Sequence, residues 1–378
     1  MKQKVSMGSV WFLTHLVLCH TQFQGILARR GDHMYTAQPK KLLILNILDI
    51  LKRYSDQEHR LSQKDIEEIL EKDYSMKADR KAIKRNLMNL IDYGYEIGFT
   101  EIPRAGKTGE ETICTDWYLE RDLTDAELRL LIDSVLFSKH LPYNQCKQLI
   151  EKLEGLSNRY FSSKMRHVRN LPENTPANPQ IFYSIEVLDE AIEKHLQVAF
   201  ALNEIDHNKK RIVRTDSQGQ VRYFTFNPYQ MVATNGRYYL IGNFDAYDNL
   251  AYVRLDHISD ISLLETRAKP MKKVAGLENG LDLPEHMAEH IYMLYGNTVR
   301  VHFKAPKTLA DQIVDWFGYS FTVLSEDEEN IAVQVDVNER AMRFWALQYG
   351  TFVEVLEPKS LRDDIIKSVR KMMSNYSV

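Results

Sequence analysis

The sequence predicts an α+β multidomain protein, on three observations. Its 378 residues exceed one ordinary core. Apolar residues recur at helical spacing as far as the cluster Pro172, Pro176 and Pro179, and short β-type runs take over after it. From about Thr298 strands and helices alternate. The predicted divisions are an atypical, poorly ordered extension over 1–38, a helix-and-hairpin domain over 39–120, a helical connector over 121–179, a β-rich domain over 180–268 and an α+β unit over 269–378.

A hydrophobic fraction of 44% and a charged fraction of 27% are those of a soluble globular chain rather than a disordered one. The formal net charge of -3 gives no global pull on a polyanion, so nucleic-acid binding has to come from a local patch. Cys19, Cys114 and Cys146 lie far apart with no CxxC pair, which supports neither a disulfide framework nor a cysteine zinc site and fits a reducing cytoplasm. Near the start, Lys2 and Lys4 precede an apolar stretch from Val10 to Leu18. His15 interrupts that stretch, no small-residue cleavage site follows, and it falls short of the ~20 residues of a membrane span. No membrane association is expected.

From Pro39, KKLLILNILDILKRY places Leu42, Leu45, Ile47, Leu48 and Leu51 on one helical face. A second helix opens after Ser62, with Ile66, Ile69 and Leu70 on one side and Glu67, Glu68 and Glu71 on the other. In the third, Asp79 caps the start, Gly94 ends it, and Ile83, Leu87, Leu90 and Ile91 form the apolar stripe. At about 100° per residue Lys81, Arg85 and Asn89 fall on the opposite face, flanked by Arg80, Lys84 and Met88. Such a face suits a recognition helix in a major groove, where Arg and Lys meet phosphates and guanine edges and Asn meets adenine.

Glu96 to Pro103 and Glu111 to Leu119 read as two strands around RAGKTGE, a wing whose tip carries Arg104 and Lys107. The region is thus predicted to be a winged helix-turn-helix. In the connector, Thr124 and Glu127 form a capping box ahead of Leu128, Leu131, Ile132 and Val135, and a second helix spans about Tyr143 to Tyr160.

Beyond the prolines one helix, near Tyr183 to His195, precedes runs at Leu196 to Leu202, Val221 to Asn227, Tyr229 to Ala233, Arg237 to Asn243 and Leu250 to Leu255. Asn235-Gly236 between two of them signals a hairpin, and a small barrel or strongly bent sheet is expected.

The segment FNPYQMVATNGRYYLIGNFDAYDNLAYVRLDHI resembles the core of the WYL domain. Pro228 leads, Tyr238-Tyr239-Leu240 stands at the signature with Tyr for Trp, and Arg254-Leu255-Asp256-His257-Ile258 closes it with His for the second Arg. ADRKAIKRNLMNLIDYGYEI is similar to the recognition helix of winged-helix heads joined to WYL domains. The resemblance implies an SH3-like β-barrel in a bacterial regulator, with a basic and aromatic pocket for a nucleotide or oligonucleotide effector. Arg222 and Arg254 would pair phosphate oxygens, and Tyr239 or Tyr229 would stack on a base, unless these tyrosines fill the barrel core. His257 in place of Arg would make affinity depend on pH near neutrality.

The C-terminal order reads strand (Val299 to Phe303), helix (Lys307 to Phe317), strands (Ser320 to Leu324 and Ile331 to Val337), helix (Glu339 to Tyr349), strand (Phe352 to Leu356) and helix (Leu361 to Met373). This βαββαβ pattern is ferredoxin-like and resembles the C-terminal extension that follows WYL domains and contributes to homodimers. His286, Glu289 and His290 fit the HxxEH zinc pattern, but nothing nearby supplies a third ligand, and the segment is expected to be an exposed helix.

The expected function is a cytoplasmic transcriptional regulator. It would bind double-stranded DNA as a homodimer, respond to a nucleotide or oligonucleotide effector, and need no cofactor, metal or catalytic residue. The alternative is a single-stranded nucleic-acid-binding accessory protein of a phage-defence system. The effector, the operator and the sign of regulation are not readable from the residues.

Overall fold

A computed structural model describes residues 39–106, 109–164 and 178–376, and the extension over 1–38 lies outside the described residues. The architecture is mixed α/β, with eleven α-helices and three antiparallel sheets among those residues. It divides into two compact units, one of residues 1–132 and 150–170, the other of 133–149 and 171–378.

Among its described residues the first unit carries helices α1 (Leu43–Tyr54), α2 (Gln63–Tyr74) and α3 (Arg80–Tyr93). Ser62 and Asp65 form a full capping box at α2. Ile47, Ile50, Leu51, Ile66, Leu70, Ile83 and Leu87 make the core, whereas Leu42 and Leu45, expected on its face, are exposed. The bulky apolar run of α1 is wider than the stripe three helices can cover, and Ile50 takes the inward position instead.

Strands β1 (Ile97–Gly106) and β2 (Gly109–Leu119) form the hairpin, in register from Ile97 opposite Leu119 to Gly106 opposite Gly109. Trp117 is fully buried, and its backbone exchanges two 2.8 Å hydrogen bonds with Leu61, which fixes the hairpin root beside the loop entering α2.

Helix α4 (Asp125–Phe137) opens on the expected box, with Thr124 Oγ1 accepting from the Glu127 N–H at 3.2 Å. Helix α5 (Tyr143–Glu154) stops short of Tyr160. Gly155 weakens the helix there, and the Asn158 side chain caps α6 (Arg159–Lys164) by accepting from the Tyr160 and Phe161 N–H groups.

In the second unit α7 (Ile181–Lys194) lays Ile181, Leu188 and Ala191 on a six-stranded sheet. Its strands are β3 (Leu196–Ile205), β4 (Arg211–Val213), β5 (Tyr223–Thr234), β6 (Arg237–Phe244), β7 (Ala251–Arg254) and β8 (Ile258–Arg267). The path runs β4-β3-β5-β6-β7, with β8 on β3, and a one-turn 3-10 helix, Leu255–His257, joins β7 to β8. The two runs expected on either side of Pro228 are one strand. A bulge between Pro228 and Gln230 absorbs the proline's missing N–H. Phe200, Phe226, Leu240, Val253, Leu255 and Ile258 fill the interior.

After α8 (Leu283–Glu289), the remaining elements are β9 (Thr298–Pro306), α9 (Ala310–Phe317), β10 (Phe321–Glu326), β11 (Asn330–Asn338), α10 (Glu339–Gln348), β12 (Glu354–Glu357) and α11 (Lys359–Tyr376). The sheet order is β10-β11-β9-β12, and Phe303, Phe317 and Trp345 centre its core.

Candidate nucleic-acid interface and effector site

The basic helix α3 owes its start to Asp79, whose carboxylate accepts from the Ala82 N–H at 2.7 Å. It owes its end to Gly94, which reaches a φ of 116° that side-chain-bearing residues rarely adopt. Ile83, Leu87 and Leu90 face the core. That fixes the opposite face outward, and Arg80, Lys81, Arg85 and Asn89 are exposed on it, with Lys84 half-buried.

The cations are not equivalent. Lys77 is held by Glu71 at 2.9 Å and Arg80 stands 3.8 Å from Glu67. Lys81, Lys84 and Arg85 have no ion-pair partner among the described residues. On the hairpin Arg104 is exposed, while Lys107 lies outside the described residues.

A second basic cluster forms where β6, β7 and the 3-10 turn meet. Tyr239 on β6 stands opposite Arg254 on β7. The Arg254 guanidinium grips Asp256 with two hydrogen bonds, Nε to Oδ1 at 3.0 Å and Nη2 to Oδ2 at 2.5 Å. Arg237 approaches the same carboxylate at 3.5 Å, and Arg211 donates to the Asp256 backbone carbonyl at 2.5 Å. The Asp256 side chain is only 8% exposed. Burial alone would raise its pKa, but the Arg254 hydrogen bonds and charge, aided by His257 and Arg237, hold it below the ordinary carboxylate value.

The same surroundings push His257 down, through burial first and the Arg254 charge second. Burial likewise raises the Tyr239 hydroxyl, against the pull of Arg254 and Arg237. Two guanidiniums therefore share one carboxylate and a third holds the same residue's backbone carbonyl, beside a half-buried phenol, and they keep N–H groups to spare. The cleft at Arg211, Asp256 and His257, also lined by Asn203, Glu204 and Ile205, holds about 10 Å³, so an anionic ligand would lie across its mouth.

Arg211 and Arg237 escaped the sequence reading, and Asp256 entered it only as part of the closing motif, with no role at the site. Arg237 directly follows the Asn-Gly turn, and a register drawn across that turn places it two positions before Tyr239 on the strand paired with Arg254. Arg211 sits on a three-residue strand too short to register as a pattern.

The other two expected effector residues sit apart from this cluster. The Arg222 guanidinium stacks over Phe224 at 4.7 Å. Tyr229 lies at the β5 bulge, its hydroxyl donating to the Lys269 carbonyl at 2.8 Å, with its pKa pushed up to about 12 by burial and by Asp245.

The loop following α4 docks on the turn ahead of Arg237. The Lys139 N–H donates to the Gly236 carbonyl at 2.8 Å, and the His140 ring stacks 5.7 Å from Tyr238. Asn235 and Gly236 adopt φ of 53° and 71°, and a Cβ at position 236 would sit 3.1 Å from the Phe137 carbonyl. Glycine is required there by both conformation and space.

The HxxEH segment is not an exposed helix. His286 and His290 are buried and stack at 4.1 Å, Tyr252 hydrogen-bonds His286 Nε2 at 2.8 Å, and His290 Nδ1 donates to the His286 carbonyl at 3.0 Å. Glu289 turns instead to the Thr298 hydroxyl at 2.9 Å. Val232, Ile241 and Met293 form the apolar cluster beside them, with Tyr252 and Met287 packed on it, which explains why a segment polar by composition is interior. Among the described residues no group of three His, Cys, Asp or Glu side chains is placed to hold a metal, and no helix is long and apolar enough to cross a membrane.

Residues 297–373 match the WCX domain family. Among solved structures, the chain is similar to the Proteasome accessory factor B/C (PafBC) of Arthrobacter aurescens, with 14% identity, 92% of this chain and 51% of that chain covered, and a TM-score of 0.27. It is also similar to a CRISPR Cas-related protein, with 12% identity, coverage of 92% and 89%, and a TM-score of 0.34. The chain thus spans about half the length of the PafBC chain. No curated protein matches it.

Proposed function

We propose that this protein is a ligand-responsive, DNA-binding transcriptional regulator of the WYL type, acting as a homodimer in the cytoplasm. The observation that carries the reading is the exposed face of α3, where Lys81, Lys84 and Arg85 lack acidic partners among the described residues although the protein as a whole is slightly acidic. Beside a hairpin rooted at Trp117, such a helix suits major-groove entry, with Asn89 further along the same face and Arg104 on the hairpin. The three helices and hairpin are read as a winged helix-turn-helix head.

The WCX match over residues 297–373 supports the WYL-type assignment, because that domain is found in WYL-type regulators. The β10-β11-β9-β12 order supports a ferredoxin-like extension, and the strands linked by the 3-10 turn support an SH3-like barrel. The effector site is assigned to Arg211, Arg237, Arg254, Tyr239 and His257. A nucleotide or oligonucleotide suits it, since guanidiniums pair phosphate oxygens in a fork and a phenol stacks on a base. The effector controls DNA binding only insofar as it binds one arrangement of the protein better than another.

Selection from a randomised duplex library tests the reading. An enriched sequence is expected from the wild type, and its loss from Lys81→Ala/Arg85→Ala; equal enrichment by both proteins contradicts it. The cluster of three arginines also favours a second reading, a single-stranded nucleic-acid-binding accessory protein. That reading predicts single-strand affinity that Arg254→Ala abolishes, with no sequence enriched from duplex DNA.

A further inference from the structure

Helix α11 carries an apolar strip that its own domain only begins to cover. Leu361 is buried and Ile365 packs on the core, but Ile366, Val369, Met372 and Tyr376 are 39%, 42%, 47% and 84% exposed. At about 100° per residue these four fall within roughly 120° of the helix circumference, continuing the side that Leu361 and Ile365 bury. A solvent-facing helix end would carry polar residues there.

The charges beside the strip indicate what covers it. Asp363 and Arg370 are seven residues apart, so they share one flank, next to Ile366, and both are exposed. Arg370 has no ion-pair partner among the described residues, and Asp363 has none within 4 Å, its charge reaching only Lys367 one turn on. Lys367, further round, is held by Asp364 at 3.0 Å. A two-fold axis perpendicular to the helix keeps each flank on its own side, so an antiparallel second copy sets Asp363 against Arg370 of the other chain, twice, with Ile366 against Ile366 near the axis. A two-fold axis parallel to the helix would carry the flank to the opposite side of the interface and leave both charges without a partner. An unrelated partner gives no reason for two opposite charges spaced symmetrically about an apolar residue.

We propose that α11 pairs antiparallel with α11 of a second copy of this chain, about a two-fold axis at Ile366. The inference rests on the homodimeric part of the proposed function and names its surface.

Sedimentation velocity of the full chain over a concentration series tests this, with melting curves to confirm folding. Ile366→Asp/Val369→Asp is expected to raise the dimer dissociation constant at least tenfold while the melt is retained. Asp363→Lys and Arg370→Glu each weaken the dimer several-fold, and the double reversal restores it. A dimer insensitive to the apolar variant, or a double reversal as weak as the sum of the singles, overturns the pairing while leaving the regulator reading intact. A wild type monomeric at every concentration removes both the pairing and the homodimer.

Discussion

Replacing Asp256 with asparagine removes the carboxylate on which Arg254 and Arg237 are set, and the change has two effects of opposite sign. Arg254 loses a bidentate pair, with contacts of 3.0 Å and 2.5 Å, whose carboxylate is 8% and whose guanidinium 27% exposed. Breaking a fully buried pair costs about 3–5 kcal/mol and an exposed one about 0–1 kcal/mol. This pair lies between them, so the expected loss is about 1–3 kcal/mol, or roughly 3–10 °C in Tm for a unit of this size. Anion binding should improve. A unit charge removed about 6 Å from a phosphate is worth roughly 2–3 kcal/mol at an effective dielectric near 20, against about 1 kcal/mol for the lost positioning of the arginines. Differential scanning fluorimetry and a fluorescence-anisotropy titration with a labelled thymidine pentanucleotide read the two effects. A lower Tm with severalfold tighter probe binding is expected. An unchanged Tm, or a lower Tm with weaker probe binding, refutes the assignment of Asp256 as both anchor and competitor.

Acid should destabilise the second unit through His286, whose pKa burial and His290 depress from 6.5 to about 4. A histidine with a lowered folded pKa binds fewer protons folded than unfolded, so stability holds above pH 6.5 and falls between there and pH 4, by about 2 kcal/mol after allowance for partial exposure. His286→Phe keeps the stack and should flatten that slope in pH-dependent melts, whereas an unchanged slope contradicts the assignment. Probe affinity should rise as pH falls below the ordinary histidine range, because a phosphate beside His257 favours the imidazolium that burial and then Arg254 disfavour in the free protein. His257→Asn should remove that rise, and a persistent rise would place the titrating group elsewhere.

Periodicity made the first three helices legible, since Ile83, Leu87 and Leu90 at helical spacing fix by elimination where Lys81 and Arg85 point. Capping was equally visible at Ser62, Asp79 and Thr124, because one side chain and one backbone amide three residues on suffice for it. Register-dependent features were not. Arg211, Arg237 and Asp256 converge through strand pairing and a 3-10 turn that no local window encodes. Pro228 looked like a break because a bulge is a decision of two strands together. The histidine pair looked like surface because its burial depends on Tyr252 and Val232, residues far away in sequence.

The central claim is that the α3 face grips duplex DNA, and the salt dependence of that grip tests it most directly. For the duplex enriched from the random library, log affinity should fall linearly with log salt, by about 0.9 per phosphate contact. Lys81→Ala/Arg85→Ala should lower the affinity and flatten the slope by about 1–2, with the melt of the first unit unchanged. A double variant that keeps both the wild-type affinity and the wild-type slope would contradict the account.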